Sequence, residues 1–178
     1  MYFPEDMIVK ASVDTGFRTV LCGALNNFVS SIEDMEKSYI EYNDEKYKGL
    51  ISYKLGFHAE YTCSKELLEE IGKLANKYKA PVWTHNSETK KEVEDCIERY
   101  GITPTKLFDE LGIYNYGGGG YHCVYLNDED MDIFKDKGLY VITNPSSNIK
   151  LASGIAPIEK FVEREIPVGV GTDGPASN

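Results

Sequence analysis

Six short apolar runs are spaced along this chain, and longer amphipathic segments separate them. The runs are "FRTVLCGAL" (17–25), "GLISYKLGFH" (49–58), "APVWTH" (80–85), "GYHCVYL" (120–126), "LYVITN" (139–144) and "PVGVGTD" (167–173). Their length and apolar content predict strands. "SKELLEEIGKLANKY" (64–78) instead puts Leu67, Leu68, Ile71, Leu74 and Ala75 on one helical face, with Ser64 as N-cap. The stretches 87–100 and 128–137 read the same way, and 155–165 is a further helix with Pro157 in its first turn. The opening "PEDMIVKASVDTG" predicts a helix that ends at Gly16. Strand and helix in repeated alternation require a parallel sheet with right-handed crossovers. No linker or low-complexity tract interrupts the pattern, so residues 1–178 form a single α/β domain. "NYGGGGYHC" (115–123) is the unusual segment. Its glycines precede a strand, which fits a tight turn, a close backbone approach to a ligand, or a flexible loop.

Composition removes several classes of function. The formal net charge is −10, which opposes a nucleic-acid partner, because polyanions need a positive footprint. No apolar stretch reaches the length of a membrane span. The first ten residues show no signal-peptide pattern. Cys22, Cys63, Cys96 and Cys123 are too widely spaced for a CxxC motif and read as reduced thiols of a cytoplasmic protein.

The strand ends carry the chemistry. His58 ends the second run, His85 the third, Asn144 the fifth and Asp173 the sixth, while His122 lies early in the fourth. Each alone has a bland account, as a core histidine or a turn residue. Together they collect where parallel α/β folds bind ligands, at the carboxyl ends of the strands. A barrel brings all such ends around one centre. Neutral imidazole and carboxylate suit Zn2+ or Fe2+, and such a cation supplies hydroxide for hydrolysis. Glu88 follows His85 by three residues. It can move protons at that site, or equally serve as a first-turn glutamate favoured by the helix dipole. A serine nucleophile at Ser146 or Ser147, or a thiol at Cys63 or Cys123, lacks a G-x-S-x-G elbow and a paired histidine. Neither a Walker A loop nor a strand-following G-x-G-x-x-G is present.

"HAEYTCS", "THNSET", "HCVYL", "NPSSNIKLASGIAPI" and "GTDGPASN" occur in that order, and together they resemble the strand-end motifs of the amidohydrolase superfamily. The closest branch holds triazine chlorohydrolases, guanine deaminase and the deaminases of S-adenosylhomocysteine and methylthioadenosine. The resemblance runs over nearly the whole chain and is most specific from Asn144 to Ile158. It implies a (β/α)8 TIM barrel and metal-dependent hydrolysis of C–N bonds, foremost deamination of an aminopurine. It implies His85 and Asp173 as metal ligands for Zn2+ or Fe2+, with Asp173 also taking a proton from the attacking water. Glu88 matches the acid that carries a proton to the ring nitrogen. His122 matches the strand-six histidine near the water. His58 and Asn148 match substrate-contacting positions, and Asn144 and Pro145 the strand end that shapes the pocket.

Three departures bear on function. Tyr125 stands where the family usually has a second histidine, and glycines precede His122 in place of small apolar residues. Moreover, the H-x-H pair of the family's first strand does not occur. Counted back from Asp173, the six runs correspond to barrel strands three to eight, so the expected fold is a partial barrel without strands one and two or the β-sandwich. A full barrel takes about 250 residues. The expectations are therefore a small-molecule substrate, little metal binding or turnover by this chain alone, and homo-oligomerisation through open sheet edges. A non-catalytic fragment or subunit, and chlorohydrolase or cyclic-amide chemistry, are the alternatives.

Overall fold

The computed structural model describes residues 5–177. Met1–Pro4, the start of the opening segment, lie outside the described residues. Six strands form one sheet in the order β1-β2-β3-β4-β5-β6, every neighbouring pair parallel. The strands are β1 (Thr19–Cys22), β2 (Ile51–Gly56), β3 (Val82–Asn86), β4 (Gly118–His122), β5 (Tyr140–Thr143) and β6 (Val168–Val170). The helices are α1 (Glu5–Thr15), α2 (Ile32–Tyr42), α3 (Lys65–Tyr78), α4 (Lys90–Tyr100), α5 (Pro104–Glu110), α6 (Asp128–Asp136), α7 (Pro145–Lys150) and α8 (Ile158–Glu163). Each strand pairs with the next in sequence, so the winding never reverses. That order belongs to a barrel and not to a doubly wound sheet, whose order switches direction. The result is a curled partial barrel with β1 and β6 at its edges. No ladder joins these two edges among the described residues.

The predicted strands exist, but each is shorter than its apolar run. The long helices follow their sequence signals. Ser64 caps α3 by accepting from the Leu67 N–H, and Leu68, Ile71, Leu74 and Ala75 are buried beneath it. Gly16 follows α1 in the left-handed region, as expected. Two helix starts differ from expectation. α4 begins at Lys90 because Thr89 and Glu92 form a capping box. α8 begins after Pro157, which serves as its N-cap. Helices α2, α5 and α7 have no counterpart among the predicted elements.

The glycine segment is the main correction. Gly118, Gly119 and Gly120 lie inside β4, and His122 ends that strand instead of opening it. A Cβ on Gly119 would sit 2.1 Å from the Tyr140 carbonyl oxygen and 2.8 Å from the Trp83 ring. Gly118, Gly119 and Gly120 therefore permit a close approach of β3, β4 and β5, while Gly117, at φ 83°, closes the turn that precedes the strand.

Alternation along β3 shows where the core sits. Val82, Thr84 and Asn86 are buried against the helices, and Trp83 and His85 project from the other face. On the helix side, Phe57 and Phe108 meet edge to face with centroids 5.0 Å apart, and Tyr114 and Phe134 extend the cluster. All four cysteines are free. Among the described residues no helix is long and apolar enough to cross a membrane.

Candidate active site

Parallel pairing in register brings every strand's carboxyl end to one rim. A cleft of about 700 Å3 opens there, and its walls include His58, His85, Tyr121, Ile142, Asn144, Asp173 and Ser177. The pairing continues past the strand ends: His58 N–H donates to the Leu25 carbonyl and His85 N–H to the His58 carbonyl. That ladder fixes His58 beside His85, with ring centroids 4.9 Å apart.

His85 has one tautomer dictated by its partner. Its Nδ1 lies 2.6 Å from the His58 carbonyl oxygen, which only accepts, so Nδ1 carries the proton. Nε2 keeps its lone pair. Burial pushes the His85 pKa down to about 4, and the neighbouring His122 and His58 add to the effect. Burial also lowers His58. Both rings are therefore neutral near pH 7.

Asp173 lies three residues beyond β6, in the left-handed region at φ 62°. Burial raises its pKa. Hydroxyl donors outweigh that cost: Ser147 Oγ donates to Oδ2 at 2.6 Å and Ser177 Oγ to the same atom at 2.9 Å. The net shift is downward, so the group is a carboxylate at neutral pH.

His122 stacks on His85 with centroids 5.4 Å apart. Its Nδ1 is 2.7 Å from Asn148 Oδ1. Its Nε2 is 3.4 Å from Asn144 Nδ2 and 3.7 Å from Glu88 Oε2. Glu88 precedes α4 and so is no first-turn glutamate. The dipole and cap role falls to Glu92, whose carboxylate accepts from the N–H groups of Ser87 and Glu88. Glu88 Oε1 instead accepts from Ser153 Oγ at 3.0 Å. His122 and Asn148 are buried behind the cleft wall, His122 stacked on His85, and the partly exposed Glu88 side chain lies beside His122. Asn148, expected at a substrate-contacting position, is buried and faces His122.

The strand-end turns are strained. Ser87, His122, Cys123 and Asp173 take positive φ there without being glycine, and so does Ala152 after α7. Such conformations cost about 1–3 kcal/mol each and persist where surroundings over-determine them. Sequence reasoning did not single out Ser153, Ser177 or Glu92. The Thr89-x-x-Glu92 spacing is a capping-box signal that would have found Glu92. Ser153 and Ser177 are serines in turns and carry no local signal.

A neutral imidazole with a free Nε2 and an ionised carboxylate on one cleft suit a divalent cation of the zinc type. They supply a partial donor set. Among the described residues no group of three or more His, Cys, Asp and Glu side chains is arranged to hold a metal.

The model of the Amidohydrolase family matches residues 4–178. The chain belongs to the amidohydrolase family. Several relatives of this amidohydrolase chain are deaminases. A 5-methylthioadenosine/S-adenosylhomocysteine deaminase of Caldanaerobacter subterraneus is 40% identical, over all of this chain and 42% of that protein. A 5'-deoxyadenosine deaminase of Methanococcus maripaludis is 39% identical, over all of this chain and 44% of that protein. The zinc-bound crystal structure of an adenosine deaminase from Xanthomonas campestris superposes with a TM-score of 0.89 at 28% identity, covering the whole chain and 42% of that structure. This amidohydrolase chain thus spans less than half the length of the relatives it matches.

Proposed function

We propose that this chain forms part of a zinc-dependent deaminase acting on an adenosine-type nucleoside, with release of ammonia. The observation that carries the reading is His85: its Nδ1 is committed to the His58 carbonyl, and its Nε2 keeps a lone pair with no partner among the described residues, in a cleft that the Asp173 carboxylate also lines. The zinc-bound adenosine deaminase neighbour and the deaminase relatives support the choice of metal and substrate. A net charge of −10 supports a small-molecule substrate over nucleic acid. We extend the reading to a cytoplasmic homo-oligomer, on the free cysteines and the open sheet edges.

His85 Nε2 and the Asp173 carboxylate would hold the cation. A zinc ion, when bound, supplies hydroxide at neutral pH by lowering the pKa of water. Asp173, held ionised by two serine hydroxyls, accepts the proton of the attacking water. Glu88 delivers a proton to the purine ring nitrogen as the carbon beside it is attacked; the proton held by Asp173 then passes to the amino group, which departs as ammonia, and Glu88 recovers its proton from the new hydroxyl as the carbonyl forms. His122 donates from Nδ1 to Asn148 Oδ1, so its neutral ring offers Nε2 as an acceptor. His58 presents its ring to the substrate from the cleft wall.

The test joins this chain to the N-terminal segment of the Caldanaerobacter relative and measures ammonia release from 5'-deoxyadenosine. Glu88→Gln should remove at least about 99% of the rate while zinc content by elemental analysis stays unchanged. Unchanged activity removes Glu88 from the chemistry. Release of ammonia or chloride only from triazines removes the nucleoside.

A further inference from the structure

The stretch 145–156 inverts the usual rule of burial. Ile149 and Leu151 are exposed at 69% and 55%, and Ile155 at 83%. Ser147, Asn148 and Ser153 are buried, at 0%, 1% and 4% exposure. Stability alone favours the opposite choice, since buried polar groups cost free energy unless they are hydrogen-bonded. The three buried side chains bond outward, each to a different strand end. Ser147 Oγ donates to Asp173 beyond β6, Asn148 Oδ1 meets His122 Nδ1 at the end of β4, and Ser153 Oγ donates to Glu88 beyond β3.

The segment is also tied to itself and to the loop beside it. Ser153 N–H and Gly154 N–H both donate to the Asn148 carbonyl, at 2.8 and 3.4 Å. Ala152 and Gly154 flank Ser153 at φ 56° and 125°, which turns its hydroxyl back toward the site. A Cβ on Gly154 would lie 3.0 Å from Val124 and 3.1 Å from the Tyr125 hydroxyl, so this turn packs against the loop after β4.

We propose that residues 147–153 act as one positioning template, which sets the orientation of Asp173, His122 and Glu88 together. This rests on the catalytic roles proposed above. Within the template, Ser153 reserves Oε1 of Glu88, so the proton is carried on Oε2, the oxygen that faces His122 at 3.7 Å. A carboxylate without that partner rotates between equivalent oxygens and is correctly oriented for only part of the time. Ser153 is thus a positioning residue: it touches Glu88 and not the reacting atoms.

The experiment uses Ser153→Ala and Ser153→Thr, with Glu88→Gln as control. In the 178-residue chain, the isotope-edited infrared band of the Glu88 carboxylate, assigned by its loss in Glu88→Gln, should shift in Ser153→Ala and return in Ser153→Thr. In the ammonia-releasing protein described above, Ser153→Ala should lower kcat about tenfold with KM changed less than about twofold, the loss of one hydrogen bond. Threonine should restore most of the rate. A folded Ser153→Ala protein with an unmoved band and unchanged kcat overturns the proposal. So does a raised KM at constant kcat, which would make Ser153 a substrate contact. If the alanine variant does not fold, Ser153→Cys keeps the shape and weakens the donor, and the same outcomes apply. If Glu88→Gln remains active, the proposed chemistry fails by itself, and the infrared band still decides whether Ser153 orients Glu88.

Discussion

Replacing Glu92 by glutamine should flatten the dependence of stability on pH. Glu92 is 4% exposed and sits under the turn that carries Glu88. Burial raises its pKa from 4.5 to about 7, although the N–H groups of Glu88, Ser87 and Thr89 pull the other way. A raised carboxyl pKa means that the folded state holds the proton more tightly than the unfolded chain. The stabilisation is complete below pH 4.5 and is lost as pH rises through 7. A difference of about 2.5 between the two pKa values corresponds to about 3 kcal/mol. Glutamine cannot ionise, so its stability should carry no such loss. It has a single acceptor oxygen, however, where Glu92 uses one oxygen for Ser87 N–H at 3.0 Å and the other for Glu88 N–H at 2.8 Å. One buried N–H then faces an amide group, at a cost of about 1–3 kcal/mol. The variant should be less stable than the parent at pH 4.5 and equal to it or better at pH 8. Urea unfolding at half-unit steps between these limits measures the two curves. Parallel curves would refute the assignment of this pH dependence to Glu92.

Gly119→Ala should destabilise the chain by about 3 kcal/mol or more, because the new methyl group overlaps the Tyr140 carbonyl and the Trp83 ring and the backbone must shift. Thermal unfolding should register a fall of roughly 6–12 °C, and a change under about 1 °C would contradict the close approach of β3, β4 and β5. Arg99→Ala should cost about 2 kcal/mol, since it strands the Glu60 carboxylate, which is 1% exposed, while Arg99 itself is 40% exposed and partly screened. Adding Glu60→Gln should recover part of that loss in the same unfolding measurement. No recovery would mean that Arg99 acts through packing and not through charge.

The periodicity of the sequence by itself determined the strands, their parallel sense and most of the long helices. Apolar spacing is a local property, and a βα repeat admits few topologies. It also located His58, His85 and Asp173 at one rim, because a strand's end is visible wherever its apolar run stops. The strand-end motifs carried the family, and the family match covers residues 4–178. The glycines of β4 were misread, since a strand of glycines has no side-chain pattern; only the crowding against Val82, Trp83 and Tyr140 explains them. Helix α5 escaped because it spans only seven residues. Tertiary structure alone decided the hydrogen bonds that orient the site. Ser153 reaches Glu88 across 65 positions of sequence and Ser147 reaches Asp173 across 26. A hydroxyl has no periodicity, so its partner is set by how the barrel curls and by the few strained turns at its rim.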